Sequence, residues 1–163
     1  MAMGYSGVIL QSRIQQSALI SEQRQTRMED NQDKRVINTQ IKDLQSRIAT
    51  FTNQKLEVEN DVSLRKNILK NSKTERKFIQ NVFCWLAPNS SYAKNQAQLY
   101  LDSEISKLEN DIKQEQDNLT ERSSNRQTRL DEIDLEITAC QEQIKDAKKQ
   151  GEESTKEMFG ANG

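Results

Sequence analysis

One proline separates two long stretches of chain that contain almost no residue able to break a helix. Pro88 is the single proline, and the five glycines stand at positions 4, 7, 151, 160 and 163. Turns depend on Gly and Pro for their special backbone angles, so this composition excludes a many-stranded sheet. Each stretch therefore predicts one long helix, and the proline with its Asn and Ser neighbours predicts a turn at residues 87–91.

Apolar residues in both stretches recur at alternating spacings of four and three residues. The first series consists of Ile37, Ile41, Leu44, Ile48, Phe51, Val58, Val62, Leu69, Ile79 and Phe83. The second consists of Leu101, Ile105, Leu108, Ile112 and Leu119, and then, after one extra residue, of Leu130, Ile133, Ile137, Cys140 and Ile144. A sustained repeat of about 3.5 residues is typical of a coiled coil. The predicted fold is all-α, a long antiparallel two-helix hairpin (coiled coil).

A reversal of the chain at Pro88 also predicts which residues face each other. The numbers of facing residues would add to about 177, as in an antiparallel coiled coil closed by a tight turn. Phe51 would then face Arg126, and Lys55 would face Ser123. Under this register, residues 1–13 would extend past the other helix and would have no partner within the molecule.

The pattern predicts four segments with different properties. Residues 1–20 form an apolar N-terminal arm, and residues 21–35 form a polar neck whose only apolar residue is Met28. Residues 36–158 form the helical-hairpin domain, with an aromatic tip at 78–100, and residues 159–163 form a tail. The neck offers no apolar seam, so we expect it to be the loosest part of the hairpin.

Absent residue types argue against an enzyme. The chain has no histidine, which removes the most common general base and metal ligand. Its glycines do not form a phosphate-binding loop. Cys84 and Cys140 are too far apart in sequence to form a metal-binding pair and are expected to be buried apolar spacers. We expect no catalytic residue, no metal and no cofactor.

The charge pattern argues against nucleic acid as a partner. The net charge is −1, and the basic run from Arg65 to Lys77 would lie opposite acidic residues in the hairpin. The N-terminal sequence lacks the features of a secretory signal, and no stretch is apolar enough to span a membrane. We expect synthesis in the cytoplasm, with export by a signal-peptide-independent secretion system as an option. A membrane-surface role for residues 5–20 is disfavoured because Arg13 is their only charge.

Two groups of apolar residues are too large for a two-helix hairpin to bury. We predict that these residues form a protein interface. One lies in the N-terminal arm and the other around the tip, where a second apolar series runs beside the main seam. The predicted interface residues are Tyr5, Val8, Ile9, Leu10, Ile14, Leu64, Ile68, Phe78, Val82, Phe83, Trp85, Leu86, Tyr92 and Tyr100. A small cap, in which Tyr92, Leu99 and Tyr100 cover Trp85, is the alternative explanation for the tip residues.

Different apolar surfaces at two ends of one subunit favour assembly, because such contacts do not close on themselves. The leading functional prediction is a structural protein that self-associates into a homo-oligomer or filament. The alternative is a coiled-coil stalk or chaperone-type binding module of a larger machine, such as a bacterial secretion apparatus. In that alternative the partner is another protein.

Overall fold

The computed structural model describes residues 2–71 and 87–160, and these residues form three α-helices. Helix α1 spans Ala2–Glu57, α2 spans Val62–Asn71 and α3 spans Ser91–Gly160. Helices account for 94% of the described residues and no strand occurs among them, so the predicted all-α class is confirmed. None of these helices is long and apolar enough to cross a membrane.

Contacts between Cα atoms divide the chain into two compact units. The first unit contains Met1–Lys34 and Leu119–Gly163, and the second contains Arg35–Asn118. The predicted segment boundaries stay predictions, because these units are defined by contacts rather than by the composition of the sequence.

Side-chain contacts fix the register of α1 and α3 within the first unit. Three hydrogen bonds join Ser12 to Gln143, Gln23 to Asp134, and Asp33 to Arg126. The numbers of the α3 residues fall as those of the α1 residues rise, so the two helices are antiparallel in this unit. The numbers of the paired residues add to between 155 and 159, as expected for one nearly constant antiparallel register.

The second unit has the same register, and the predicted sum of about 177 is wrong. Lys55 Nζ lies 2.6 Å from Asp102 Oδ1, and Gln98 Nε2 donates a hydrogen bond to Glu59 Oε1 at 3.3 Å. Lys55 therefore pairs with Asp102 and not with the predicted Ser123. The two contacts each add to 157, so the shift is about 20 residues, which is close to three heptads and brings apolar seam positions back near apolar seam positions.

The prediction of one uninterrupted helix before Pro88 is also wrong. Helix α1 ends at Glu57, residues 58–61 are not helical, and α2 begins at Val62. Asp61 is the N-cap of α2, because its Oδ1 accepts a hydrogen bond from the amide of Leu64 at 3.0 Å. An aspartate at this position starts a new helix even though neither Gly nor Pro is present.

The predicted turn at 87–91 agrees closely with the structure. Residues 87–90 are not helical, and α3 begins at Ser91. Ser90 is the N-cap, since its Oγ accepts a hydrogen bond from the amide of Ala93 at 3.1 Å. The same hydroxyl donates to the carbonyl oxygen of Ala87 at 2.8 Å, which ties the cap to the turn.

Each unit has a small apolar core of its own. In the first unit the core consists of Leu19, Ile133 and Cys140, with Ile137 packed against it. In the second unit it consists of Val58, Ile68, Leu69, Ala93, Ala97 and Leu101, with Phe51, Leu64, Tyr92 and Tyr100 packed against it. Ala93 and Ala97 precede Leu101 by eight and four residues, so they extend the predicted α3 seam towards its N-terminus.

Candidate functional site

The N-terminal part of α1 presents an exposed apolar row on the side away from its buried residues. Leu10 is 61% exposed, Ile14 is 63% exposed and Val8 is 44% exposed. Ser12 and Leu19 of the same helix are buried. Leu10 and Ile14 are one helical turn apart and therefore share a face. We call Leu10 and Ile14 the outer row; Val8 lies one helical turn before the buried Ser12 and therefore belongs to the face that is turned towards α3.

The two remaining arm residues of the predicted interface, Tyr5 and Ile9, are half-buried. Tyr5 lines two open grooves of the first unit, with volumes of about 570 and 820 Å³. Val8 lines the smaller groove, while Ile9 and Met158 line the larger one. Both grooves also contact Ala147 of α3, so they flank the contact between the helices.

The expectation that residues 1–13 lack a partner within the molecule is wrong. Ser12 Oγ donates a hydrogen bond to Gln143 Oε1 at 3.2 Å, and Ser12 is only 3% exposed. The incorrect register produced this expectation, because it placed the partner of Ser12 beyond the C-terminal end of the sequence. One face of the arm is paired with α3, while the outer row remains exposed.

The last turn of α3 exposes two further large apolar residues. Met158 is 72% exposed and Phe159 is 76% exposed. Both belong to the first unit, as the outer row does. The sequence prediction placed Met158 at the end of the hairpin domain and Phe159 at the start of the tail, and it included neither residue in the interface.

The predicted tip residues divide into those within a core and those outside the described residues. Ile68 is buried, and Leu64, Tyr92 and Tyr100 pack against the core of the second unit. Ile68 thus offers little surface to another molecule in this conformation. The predicted interface residues between 72 and 86 lie outside the described residues: Phe78, Val82, Phe83, Trp85 and Leu86.

Arg65, which sequence reasoning placed on a solvated basic run, is one of the most buried residues in the second unit. It is 1% exposed. Its Nε donates to the carbonyl oxygen of Val58 at 2.9 Å, and its Nη2 donates to that of Glu59 at 2.7 Å. Its Nη1 donates to the carbonyl oxygen of Pro88 and, at 3.4 Å, to Asn89 Oδ1. Only the position of Arg65 on the apolar seam could have indicated this burial.

The polar neck is held by ion pairs in the first unit. Arg126 Nη2 lies 2.6 Å from Asp33 Oδ2, and its Nη1 lies 3.6 Å from Asp30 Oδ1. Arg129 contacts Glu22 through two hydrogen bonds of 2.8 and 3.0 Å. Arg126 occupies a seam position of α3 and meets carboxylates there, not the predicted Phe51.

These contacts shift the titration of the groups involved. A hydrogen bond from Lys34 is the main cause that lowers the pKa of Asp30, and Ser123 and Arg126 lower it further. Hydrogen bonding to Arg129 lowers the pKa of Glu22, and hydrogen bonding to Asp33 raises the pKa of Arg126. The ionised forms of all these groups are therefore favoured in the folded protein.

The residues with reactive or metal-binding side chains do not assemble into a visible site. Within residues 2–71 and 87–160, no group of three or more His, Cys, Asp or Glu side chains is placed to hold a metal ion. Cys140 is a free, buried cysteine in the core of the first unit, as predicted for an apolar spacer. Cys84 lies outside the described residues. The absence of enzymatic activity stays a prediction.

Comparison with known proteins gives no relative from which a function could be transferred. No protein family, no curated protein and no solved structure has a significant match to this chain. Functional inference therefore depends on the surfaces described above.

Proposed function

We propose that this protein is a structural subunit that self-associates into a homo-oligomer or filament. In this proposal the subunit is an antiparallel helical hairpin with coiled-coil packing, in which the segment between α1 and α3 reverses the chain. The outer row forms one contact surface with a second copy.

The exposure of the outer row is the observation that carries this proposal. Leu10 and Ile14 are each more than 60% exposed, although 30% of the residues in this chain are charged. Arg13 is the only charged residue before Glu22. A helix face that is exposed, apolar and almost free of charge is typical of a surface that another protein covers.

Neighbouring residues on the same face would allow a second helix to approach closely. Gly7, Ser17 and Ser21 continue the alternating spacing of Leu10 and Ile14, and all three are exposed. Their small side chains leave space beside the two large ones. The segment therefore resembles a short helix-packing seam, with large and small residues on one face.

Light scattering on a size-exclusion column tests self-association directly. We expect the wild-type protein to show a mass above the 18.8 kDa of one chain, and this mass should increase with concentration. The variant Leu10→Glu/Ile14→Glu should remain at 18.8 kDa, because two carboxylates would have to be buried in the contact. The helix content of the variant, measured by circular dichroism, should equal that of the wild type.

Leu135→Glu is the matched control. Leu135 is also in the first unit and is 73% exposed, but charged residues precede and follow it directly in the sequence. This variant should assemble like the wild type. A wild-type protein that stays monomeric at millimolar concentration, or a control that dissociates as fully as the double variant, would contradict the proposal.

A binding module for another protein is the second candidate, and the grooves beside Tyr5 favour it. Their volumes of about 570 and 820 Å³ are sufficient for several side chains of a guest segment. Such a module would remain monomeric alone and would retain a defined partner in pull-down experiments. Tyr5→Ala should then abolish capture, whereas Leu135→Glu should not.

A further inference from the structure

The break between α1 and α2 contains none of the residues that normally enforce a break. Residues 58–61 read Val-Glu-Asn-Asp, without Gly or Pro. No residue with positive φ occurs within the described ranges, so the backbone of the break requires no conformation that excludes a helix. The interruption must be maintained by side chains.

Two side chains use the same backbone groups that a continuous helix would use. In a continuous helix the carbonyl oxygens of Val58 and Glu59 would accept hydrogen bonds from the amides four residues later, those of Val62 and Ser63. Here both oxygens accept from the guanidinium of Arg65, at 2.9 and 2.7 Å. These bonds replace two helical hydrogen bonds.

Asp61 replaces a third helical hydrogen bond. The amide of Leu64 would donate to the carbonyl oxygen of Asn60 in a continuous helix, but it donates to Asp61 Oδ1 at 3.0 Å. In the broken form, side chains thus provide hydrogen-bond partners for two carbonyl oxygens and one amide that would have backbone partners in a continuous helix. Two arrangements of one segment that use different hydrogen-bond partners can form a two-state element.

Arg65 also donates hydrogen bonds to two acceptors in the turn before α3, and these bonds connect the α1–α2 junction to that turn. The carbonyl oxygen of Pro88 and Oδ1 of Asn89 accept from Nη1. Arg65 is 1% exposed, so loss of these acceptors would leave donors of a buried charged group without partners. The broken form is therefore favoured only while the 87–90 turn stays against α2.

We propose that the α1–α2 junction is a conformational switch. When the 87–90 turn moves away, Arg65 leaves the carbonyl oxygens of Val58 and Glu59, and α1 and α2 merge into one helix. Val58 and Ile68 belong to one core, so merging rearranges that core and exposes apolar residues of α2, including Leu64. The switch goes beyond the proposed self-association and does not depend on it.

Amide hydrogen exchange, followed by nuclear magnetic resonance, distinguishes the two forms. The amides of Val62 and Ser63 belong to the first turn of α2 in the broken form and should exchange quickly. In Arg65→Gln they should acquire helical acceptors and exchange more slowly, by about tenfold or more. Carbon chemical shifts of residues 58–61 should become helical in the same variant. Arg47→Gln, at an exposed arginine of α1, is the matched control and should change neither measurement.

Val62→Pro provides the decisive second variant. Proline is well tolerated as the first residue of a helix, as in the broken form, but it removes the amide that a continuous helix would need. Added to Arg65→Gln, it should return the Ser63 amide to fast exchange and residues 58–61 to non-helical shifts. Unchanged exchange in Arg65→Gln, or faster exchange from local unfolding, would overturn the proposal.

Discussion

Individual charged residues of this protein act in ways that their position in the sequence only partly indicates. Arg126 and Arg65 both occupy positions of an apolar series in the sequence. Arg126 meets two carboxylates, Asp30 and Asp33, whereas Arg65 meets backbone oxygens. The periodicity predicts that such residues point towards the other helix, but it contains no information about the partner that each one finds.

Asp30 provides a prediction about pH. Its pKa in the folded protein is lowered from the ordinary value of 3.8, so the folded state favours the ionised form. A group of this kind stabilises the fold above its unfolded pKa, and this contribution is lost as the pH falls through the folded pKa. Asp30→Asn should lower the free energy of unfolding by about 1 kcal/mol at pH 7. The difference from the wild type should disappear as the pH approaches about 2.

Urea unfolding at a series of pH values between 7 and 2 measures this effect. Glu142→Gln, at an exposed carboxylate of α3 in the same unit, serves as the control. The account of the neck would be incorrect if both variants gave the same dependence on pH.

At the scale of helices, the existence and length of α3 were predictable and the break in the first helix was not. A stretch of 70 residues without proline and with a continued apolar repeat leaves few alternatives to one long helix. Helix α1 has the same apolar pattern, and the spacing of its apolar residues continues through residues 58–61 unchanged. The local signal was Asn60-Asp61, a pair that favours helix starts, but its effect depends on the tertiary contacts of Arg65.

Ser90 provides a prediction at this scale. Ser90→Ala removes the hydroxyl that caps α3 and bonds to Ala87, so the free energy of unfolding should fall by about 1 kcal/mol. The amide of Ala93 should also exchange faster with solvent. Ser91→Ala is the matched control, because Ser91 is the exposed first residue of the helix. Equal effects of the two substitutions, measured by urea unfolding, would show that Ser90 is not the cap.

At the scale of the whole molecule, the packing of the two long helices against each other was predictable and its register was not. The predicted and observed registers differ by about three heptads, and a heptad repeat pairs apolar layers equally well after such a shift. The polar seam positions could have distinguished the two. One register places Arg126 against Phe51, and the other places it between Asp30 and Asp33. A guanidinium that is only partly exposed, as that of Arg126 is, favours carboxylates over a phenyl ring as its neighbours.

Some statements about the predicted interface depended on this register, and others did not. Leu10 and Ile14 are exposed in the structure, where they lie on the opposite side of α1 from the buried Ser12 and Leu19. The claim that the whole arm is unpaired came from the register alone and failed with it. Met158 and Phe159 were recognised in the sequence only as a small apolar group near the start of the first helix and were left out of the predicted interface, although both are exposed in the structure.

Chemical cross-linking of engineered cysteines measures the register most directly. In a background with Cys84→Ser and Cys140→Ala, a short bismaleimide would be applied at low protein concentration to two double variants. The pair Ser12→Cys/Gln143→Cys should form an intramolecular cross-link rapidly, because these two side chains form a hydrogen bond of 3.2 Å. The pair Lys34→Cys/Gln143→Cys should react slowly, since Asp33 contacts Arg126 instead. Rapid cross-linking of residues 34 and 143, with little between 12 and 143, would contradict the register and the surfaces derived from it.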